Sequence, residues 1–499
     1  MKSRSKILSL FAVCAVALLV LAACGPAETT VAPIEPADTA KPADTAVPEP
    51  TVEPIVELPT VLTMPAQIAG GRPVEILTVL KPPDSQAFQL SGWYDQVARF
   101  QKLYPNVIIK GTDYAYTPES FAALVAGKQV PDLFEVYLTD PGKMIDQGVA
   151  ADITDVIKAQ GLDKVFNPSV LNISAKDGKY YGLPRFAYVM GIAYNIELLK
   201  AAGFDAPAKT WTEFAAQAKT LTNRDAGVAG FSFFASGGGG TGWHQTGIAY
   251  NFGLLNTDIV KLENGKYVAG WGNQAVLDSL NYMKQLRWTD DVLPRENLGW
   301  DTNAQALATG NAAMIMMAGD QFTWMHTTFP DADINNFGFA PMPTKNAGGK
   351  SVSLAGGNIA MVSATATADE QEAALWWKLF IQFDVTEIMR SYNNAKNDPT
   401  VIVGAPNLPL YVGDYQEKSA ALQAQFANLP IANYAVFMDG ITSGSTIVSP
   451  EPLVAGQDYY AALGTVVSTI LSDANADPAA LLREAVATFQ TNVLDLLKP

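Results

Sequence analysis

The chain has little of the chemistry that covalent catalysis or metal binding requires. Its 499 residues include two cysteines and two histidines. Cys14 lies inside an uncharged apolar stretch near the start, and Cys24 lies just after it. Loss of that stretch would leave Cys24 alone, which excludes an internal disulfide and a cysteine-based zinc cluster. A histidine-based site would have only His244 and His326 to draw on, so no metal and no cofactor is expected. A serine triad needs a histidine base, and no G-x-S-x-G elbow is present. Basic residues are also scarce: 33 Lys and Arg stand against 49 Asp and Glu, a formal charge of −16. Nucleic acid is held by basic patches and is therefore disfavoured as a partner. By contrast, the chain is 48% hydrophobic and 10% aromatic, enough for large cores.

The first residues read as an export signal. Lys2, Arg4 and Lys6 precede the apolar run Ile7–Ala22, which is short for a membrane span. It ends Leu21-Ala22-Ala23-Cys24-Gly25, which resembles a bacterial lipobox. That resemblance implies a signal peptide over 1–23 and lipidation of Cys24. The plainer alternative is ordinary cleavage near Ala23, with Cys24 incidental. Residues 24–72 read as a disordered tether: PADTA occurs at 36–40 and again at 42–46, among proline, alanine, threonine and acids. Such composition buries too little to offset its ordering entropy. Residues 25–68 are accordingly expected to be dispensable for binding.

The body that follows alternates strands with helices. Strands are predicted at 74–79, 107–109 and 132–137, with helices centred on Trp93–Tyr104 and Phe121–Ala126 between them. That order implies a parallel α/β sheet. Between 236 and 243 a glycine run ends in Trp243; no Gly-Lys-Ser/Thr follows, so it is no phosphate loop. It reads either as a flexible loop or as a loop presenting Trp243 to a cleft. Trp376 and Trp377 sit at core spacing on a helix within 371–390. Asp477-Pro478 caps a last helix, whose apolar stripe is Leu482, Val486, Phe489, Val493 and Leu496.

The most informative stretch is 177–227. Asp177-Gly178 makes a turn, and an extended apolar segment follows, interrupted by Pro184. Ile196–Ala202 reads as a short helix closed by Gly203. Thr210-x-x-Glu213 is a capping box before a helix with Trp211, Phe214, Ala218 and Leu221 on one face. The order Tyr181-Gly182-Leu183-Pro184, Tyr194-Asn195, Gly203-Phe204, then Trp211-Thr212-Glu213-Phe214 resembles extracellular solute-binding proteins of ABC importers, the maltose-binding-like group. Further segments carry the same resemblance: Phe100–Val107, Pro131–Phe134, Ala304–Met317, Phe337–Pro341 and Ser353–Asn358. One departs from it. Where that family has Gly-x-Trp with a stacking indole, this chain has Gly319-Asp320-Gln321, with Phe322 and Trp324 just beyond.

The resemblance implies an α/β, two-lobed binding-protein fold of the maltose-binding type with a three-crossing hinge. Lobe 1 would comprise 73–186 with 357–400, and lobe 2 187–356 with 401–499. The crossings would fall near Arg185–Tyr188, Leu354–Gly357 and Asn393–Leu410. It further implies a lipid-anchored extracytoplasmic monomer that passes a sugar or oligosaccharide to an ABC permease, without catalysis. Candidate ligand residues are Tyr137, Arg185, Tyr188, Trp243, Trp300, Asp301, Trp324, Asn358 and Tyr459, since rings stack on sugars and carboxylates, amides and arginine bind hydroxyls. Each also reads as ordinary packing or surface. Two alternatives stay open: a secreted hydrolase with a carboxylate pair hidden among the acids, and the same fold with a polyol, sugar phosphate or polyamine as ligand.

Overall fold

The computed structural model describes residues 54–498. Its central feature is a pair of long strands, Gly182–Asn195 and Ser351–Val362, that run antiparallel through both halves of the body. On one side, Ser351–Val362 takes Leu133–Tyr137 as its other neighbour, and Val74–Thr78 and Val107–Gly111 follow in parallel. This is lobe 1. On the other side, the far end of Gly182–Asn195 pairs with Ala312–Ala318 and Phe337–Ala340, and Ala229–Ser232 lies beyond. Thr446–Ser449 pairs with Ser351–Leu354. This is lobe 2. The parallel pairing expected from the βα alternation holds for the first three strands and recurs where Ala229–Ser232 meets Ala312–Ala318 and Thr446–Ser449 meets Ser351–Leu354; the crossing strands break it. A chain that leaves lobe 1 along one strand must re-enter it in the opposite direction, so the crossing strands are antiparallel neighbours.

Pro184 sits within a central strand, where a missing N–H would break the ladder. The register shows how this is accommodated. Ile359 faces Pro184 and Asn358 faces Phe186, so Arg185 is an extra, bulged residue. Local caps follow the sequence closely. Asn195 accepts from Leu198 N–H, Thr210 from Glu213 N–H, and Asp477 from Ala479 and Ala480 N–H. Gly203 adopts φ +85°, as a left-handed helix stop requires. Trp377 is buried, edge-on to Trp93 and Phe100, which makes it a core residue. The last helix stops at Asn492, and Leu496 beyond it is 76% exposed, so the predicted stripe loses its final member.

Two expectations are corrected. The third crossing lies later than 393–410. Val401, Val403, Leu422 and Phe426 pack with Ala395, Ile388 and Tyr392, so the chain through the Gly413–Phe426 helix stays with lobe 1. It passes to lobe 2 at 427–434, where Asn433 donates to the Asn335 and Phe337 carbonyls. The tether expected over 24–72 also includes residues that belong to the folded body. Ile68 and Ala69 are fully buried in the lobe 1 core, and Leu62 and Met64 pack against it. Tyr104 donates to the Pro65 carbonyl at 2.6 Å, and Asn106 to the Ile68 and Arg72 carbonyls. Residues up to 53, including the expected signal, Cys24 and the PADTA repeats, lie outside the described residues. No described helix is long and apolar enough to cross a membrane.

Candidate functional site

Two adjoining hollows lie where the lobes face each other. The first, about 280 Å³, is lined by Tyr137 from lobe 1, Tyr188 from the crossing strand, and Trp243, Trp300, Glu451 and Tyr460 from lobe 2. The second, about 560 Å³, has Glu119, Asp140 and Lys143 on the lobe 1 wall and Asp458 on the lobe 2 wall. Tyr137, Gly239 and Gln457 border both, so the two form one cleft. The lobes touch across it: Gln457 Nε2 donates to Thr139 Oγ1 at 3.0 Å. Other hollows of about 430 and 670 Å³ lie wholly within lobe 2 and offer no aromatic ring.

The glycine run is not a loop. It opens the helix Gly238–Tyr250, and Trp243 is carried on that helix rather than on a flexible segment. The glycines serve close approach instead of mobility. A Cβ on Gly240 would meet the Phe234 ring at 2.7 Å, and one on Gly242 would meet the Tyr460 carbonyl oxygen at 1.9 Å. Gly237 holds φ +101°, and its N–H donates to Thr241 Oγ1 at 2.8 Å, which caps the turn. Trp300 opens the helix Trp300–Ala308, with Gly299 N–H donating to Thr302 Oγ1 at 2.8 Å. The two indoles then lie 6.0 Å apart at 49°, and Tyr188 stands edge-on to Trp243 at 5.9 Å. Behind them His244 is fully buried, and burial pushes its imidazole down to about 3. Its Nδ1 accepts from Phe234 N–H at 3.3 Å, so the neutral ring packs behind the indoles with that nitrogen already engaged.

Two carboxyl groups face the cleft from opposite lobes. Glu451 is 5% exposed and accepts from the Tyr460 hydroxyl at 3.2 Å, with the Trp243 indole beside it. Burial pushes its carboxyl up to about 8, against the help of those donors, and Asp140 adds repulsion. Asp140 is 6% exposed and accepts from the Tyr116 hydroxyl at 2.8 Å; burial raises it too, with Lys143 opposing. No group of three or more His, Cys, Asp or Glu that could hold a metal ion occurs among the described residues.

Of the nine residues singled out in the sequence, Tyr137, Tyr188, Trp243 and Trp300 meet at the cleft. The other five do not line it. Arg185, on the bulge, forms an ion pair with Glu135 at 2.7 Å. Asn358 is buried in the sheet between Tyr137 and Phe186. Asp301 is exposed on the first turn of its helix. Trp324 packs edge-on to Phe329 at 5.5 Å. Tyr459 is fully buried, edge-on to Trp271 at 5.2 Å; its neighbour Tyr460, itself 1% exposed, is the one that borders the hollow. One residue along a helix is a turn of about 100°, enough to exchange core for cleft. Sequence reasoning also missed Glu451 and Gln457. A signal for Glu451 exists: it stands between Pro450 and Pro452, which hold it in a rigid non-helical loop.

Comparison with known proteins agrees with this architecture. The sequence model of the bacterial extracellular solute-binding protein family matches residues 87–383. No curated protein matches the sequence. Among solved structures, the maltose-bound MalE3 protein of T. maritima superposes with TM-score 0.66 at 17% identity, covering 84% of this chain and all of that one. The GacH receptor of Streptomyces glaucescens, solved unliganded and with acarbose, gives 0.61 at 17% identity, over 85% of this chain and 100% of its own. UgpB of Mycobacterium tuberculosis, in complex with glycerophosphocholine, gives 0.61 at 17%, over 84% and 98%.

Proposed function

This chain belongs to the bacterial extracellular solute-binding proteins of ABC importers, and from that premise we propose that it captures a sugar or oligosaccharide in the interlobe cleft and delivers it to a membrane permease. The observation that carries this reading is the composition of the cleft walls. Tyr137 of lobe 1 and Trp243 and Trp300 of lobe 2 line one hollow, with Tyr188 between them. Rings of this kind stack on the apolar faces of sugars, while Glu451, Gln457 and Asp140 supply hydrogen-bonding groups for hydroxyls. A ligand that touches both walls favours the closed arrangement, and that differential affinity drives closure about the three crossings. The maltose and acarbose complexes of its structural neighbours support a carbohydrate; the glycerophosphocholine complex widens the range of ligands to be screened.

The test is a thermal-shift screen of residues 54–499 against neutral mono- and oligosaccharides, followed by small-angle scattering. A ligand bound only by the folded state raises the melting point, and the radius of gyration should fall with it alone. Trp300→Ala should weaken that ligand about fivefold, on the order of 1 kcal/mol for a lost stacked ring, with the melting point of the free protein little changed. An unchanged affinity would place the ligand elsewhere. Turnover of an oligosaccharide, instead of stoichiometric binding, would replace this reading by the hydrolase.

We further propose that Cys24 carries the lipid that holds the protein at the extracytoplasmic face of the cell membrane. The lipobox-like Leu21–Gly25 and the basic start Lys2–Lys6 support it. One lipid group gives limited membrane affinity, so Cys24→Ala should move the protein to the soluble fraction or leave it unprocessed. A cleaved Cys24→Ala chain that stays in membranes would remove the anchor from this reading.

A further inference from the structure

The cleft is not a neutral sugar groove in its charge. Four carboxyl groups face it: Glu451 in the aromatic hollow, and Glu119, Asp140 and Asp458 in the adjoining one. One basic side chain, Lys143, lines the same walls. Two helix N-termini also point here, at Gly238 and Gly456, but each is worth about half a charge and is screened within its first turn. Asp458 already sits in the first turn of the second. The excess is therefore negative.

The placement of Glu451 is the stronger observation. It is 5% exposed, in the hollow walled by Tyr137, Tyr188, Trp243, Trp300 and Tyr460. The titratable groups that act on it come from every neighbouring element: Tyr137 and Asp140 from lobe 1, Tyr188 from the crossing strand, and Tyr250 and Tyr460 from the lobe 2 helices. None is a lysine or arginine. A buried carboxylate without a cationic partner is costly unless it is neutralised. Aromatic rings around a carboxylate supply the other half of a cation site, since their faces are electronegative.

Resting on the solute-binding reading above, we propose that the ligand carries an ammonium group, as an amino sugar or a quaternary ammonium head group, which enters the aromatic hollow with Glu451 as its counter-ion. Neutral hydroxyls would leave Glu451 holding its proton. An ammonium group takes the place of that proton: the carboxyl releases H⁺ to solvent and pairs with the cation, and the rings enclose the charge. The raised carboxyl of Glu451, pushed up to about 8 by burial, supports this exchange.

The experiment is calorimetry on residues 54–499 at pH 7 with matched pairs: glucosamine against glucose, and choline against its uncharged carbon isostere 3,3-dimethylbutanol. One ammonium member should bind about tenfold or more tighter than its neutral partner. The pair that responds tells an amino sugar from a quaternary head group. Titration in two buffers of different ionisation enthalpy should show proton release on binding. Glu451→Gln, which keeps the shape and the hydrogen bond from Tyr460, should abolish both the preference and the proton release. Equal or tighter binding of the neutral members, or no binding of either cation at millimolar concentration, overturns the inference. If neutral oligosaccharides then bind and compact the protein, the solute-binding reading stands without it. If Glu451→Gln fails to fold, the proton release measured on the unaltered protein decides.

Discussion

Alanine at Gly242 should destabilise lobe 2 by about 3 kcal/mol, the upper end of what one inserted methyl costs in a packed interior. The added Cβ would lie 1.9 Å from the Tyr460 carbonyl oxygen and 2.6 Å from its carbon. The contact is reciprocal, because a Cβ on Gly464 would lie 2.1 Å from the Gly238 oxygen. The helices Gly238–Tyr250 and Gly456–Ser472 thus touch backbone to backbone. A side chain can rotate away from an intruding methyl, whereas a backbone carbonyl held in a helical ladder moves only with its helix. The two helices would have to part. Both helices also carry residues that line the aromatic hollow, Trp243 beside the substituted position and Tyr460 on its neighbour. Ligand affinity should therefore fall together with the melting point. Gly239→Ala is the control: its Cβ meets nothing nearer than 3.7 Å, and alanine is the better helix former. Chemical denaturation of both variants decides. Equal midpoints would mean that the helices have room to spare and that their spacing does not set the hollow.

Truncation of Ile68 to alanine should cost lobe 1 about 2–5 kcal/mol, the range for emptying a fully buried aliphatic site. This residue falls in the segment that composition marks as tether, yet it is 0% exposed. The chain around it is fastened at several points: Ala69 N–H donates to Glu372 at 3.0 Å, and Tyr104 and Asn106 bind the Pro65 and Ile68 carbonyls. Val56 N–H donates to Gln425 on the Gly413–Phe426 helix at 3.1 Å, so the same strap also reaches the chain's last element on lobe 1. Ile55→Ala, at a side chain 54% exposed, should change stability by less than about 0.5 kcal/mol. A melting point equally insensitive to both substitutions would restore the tether as drawn from composition, and deletion to residue 71 would then be harmless.

Much of the secondary structure was legible because its signals are local. The strands at Val74, Val107 and Leu133, the helices between them and the caps at Thr210 and Asp477 follow from alternation, periodicity and capping chemistry within a few residues. The strap failed this kind of reading. Ile68 stands among prolines, small residues and polar groups, and only the groove beside Tyr104 and Asn106 makes it core. The glycine run failed for a related reason. Glycine disfavours a helix on its own, and the Gly238–Tyr250 helix forms there because a second helix packs against it at a distance that only glycine permits.

The sequence by itself determined the two-lobed α/β class and the solute-binding family. These depend on the order of short patterns and on which residue types are present at all. Tertiary structure alone decided which aromatics meet. The cleft joins Tyr137 to Tyr460 across more than three hundred positions, and no local period constrains that distance. It set Tyr460 at the hollow and Tyr459 in the core, because helix rotation is fixed by packing against the neighbouring helix. It withdrew Arg185 to Glu135 through a bulge opposite Asn358 that Pro184 requires. It also placed Glu451, a loop residue between two prolines, as a buried carboxyl among aromatic rings, since burial belongs to the assembled lobes and not to any one segment.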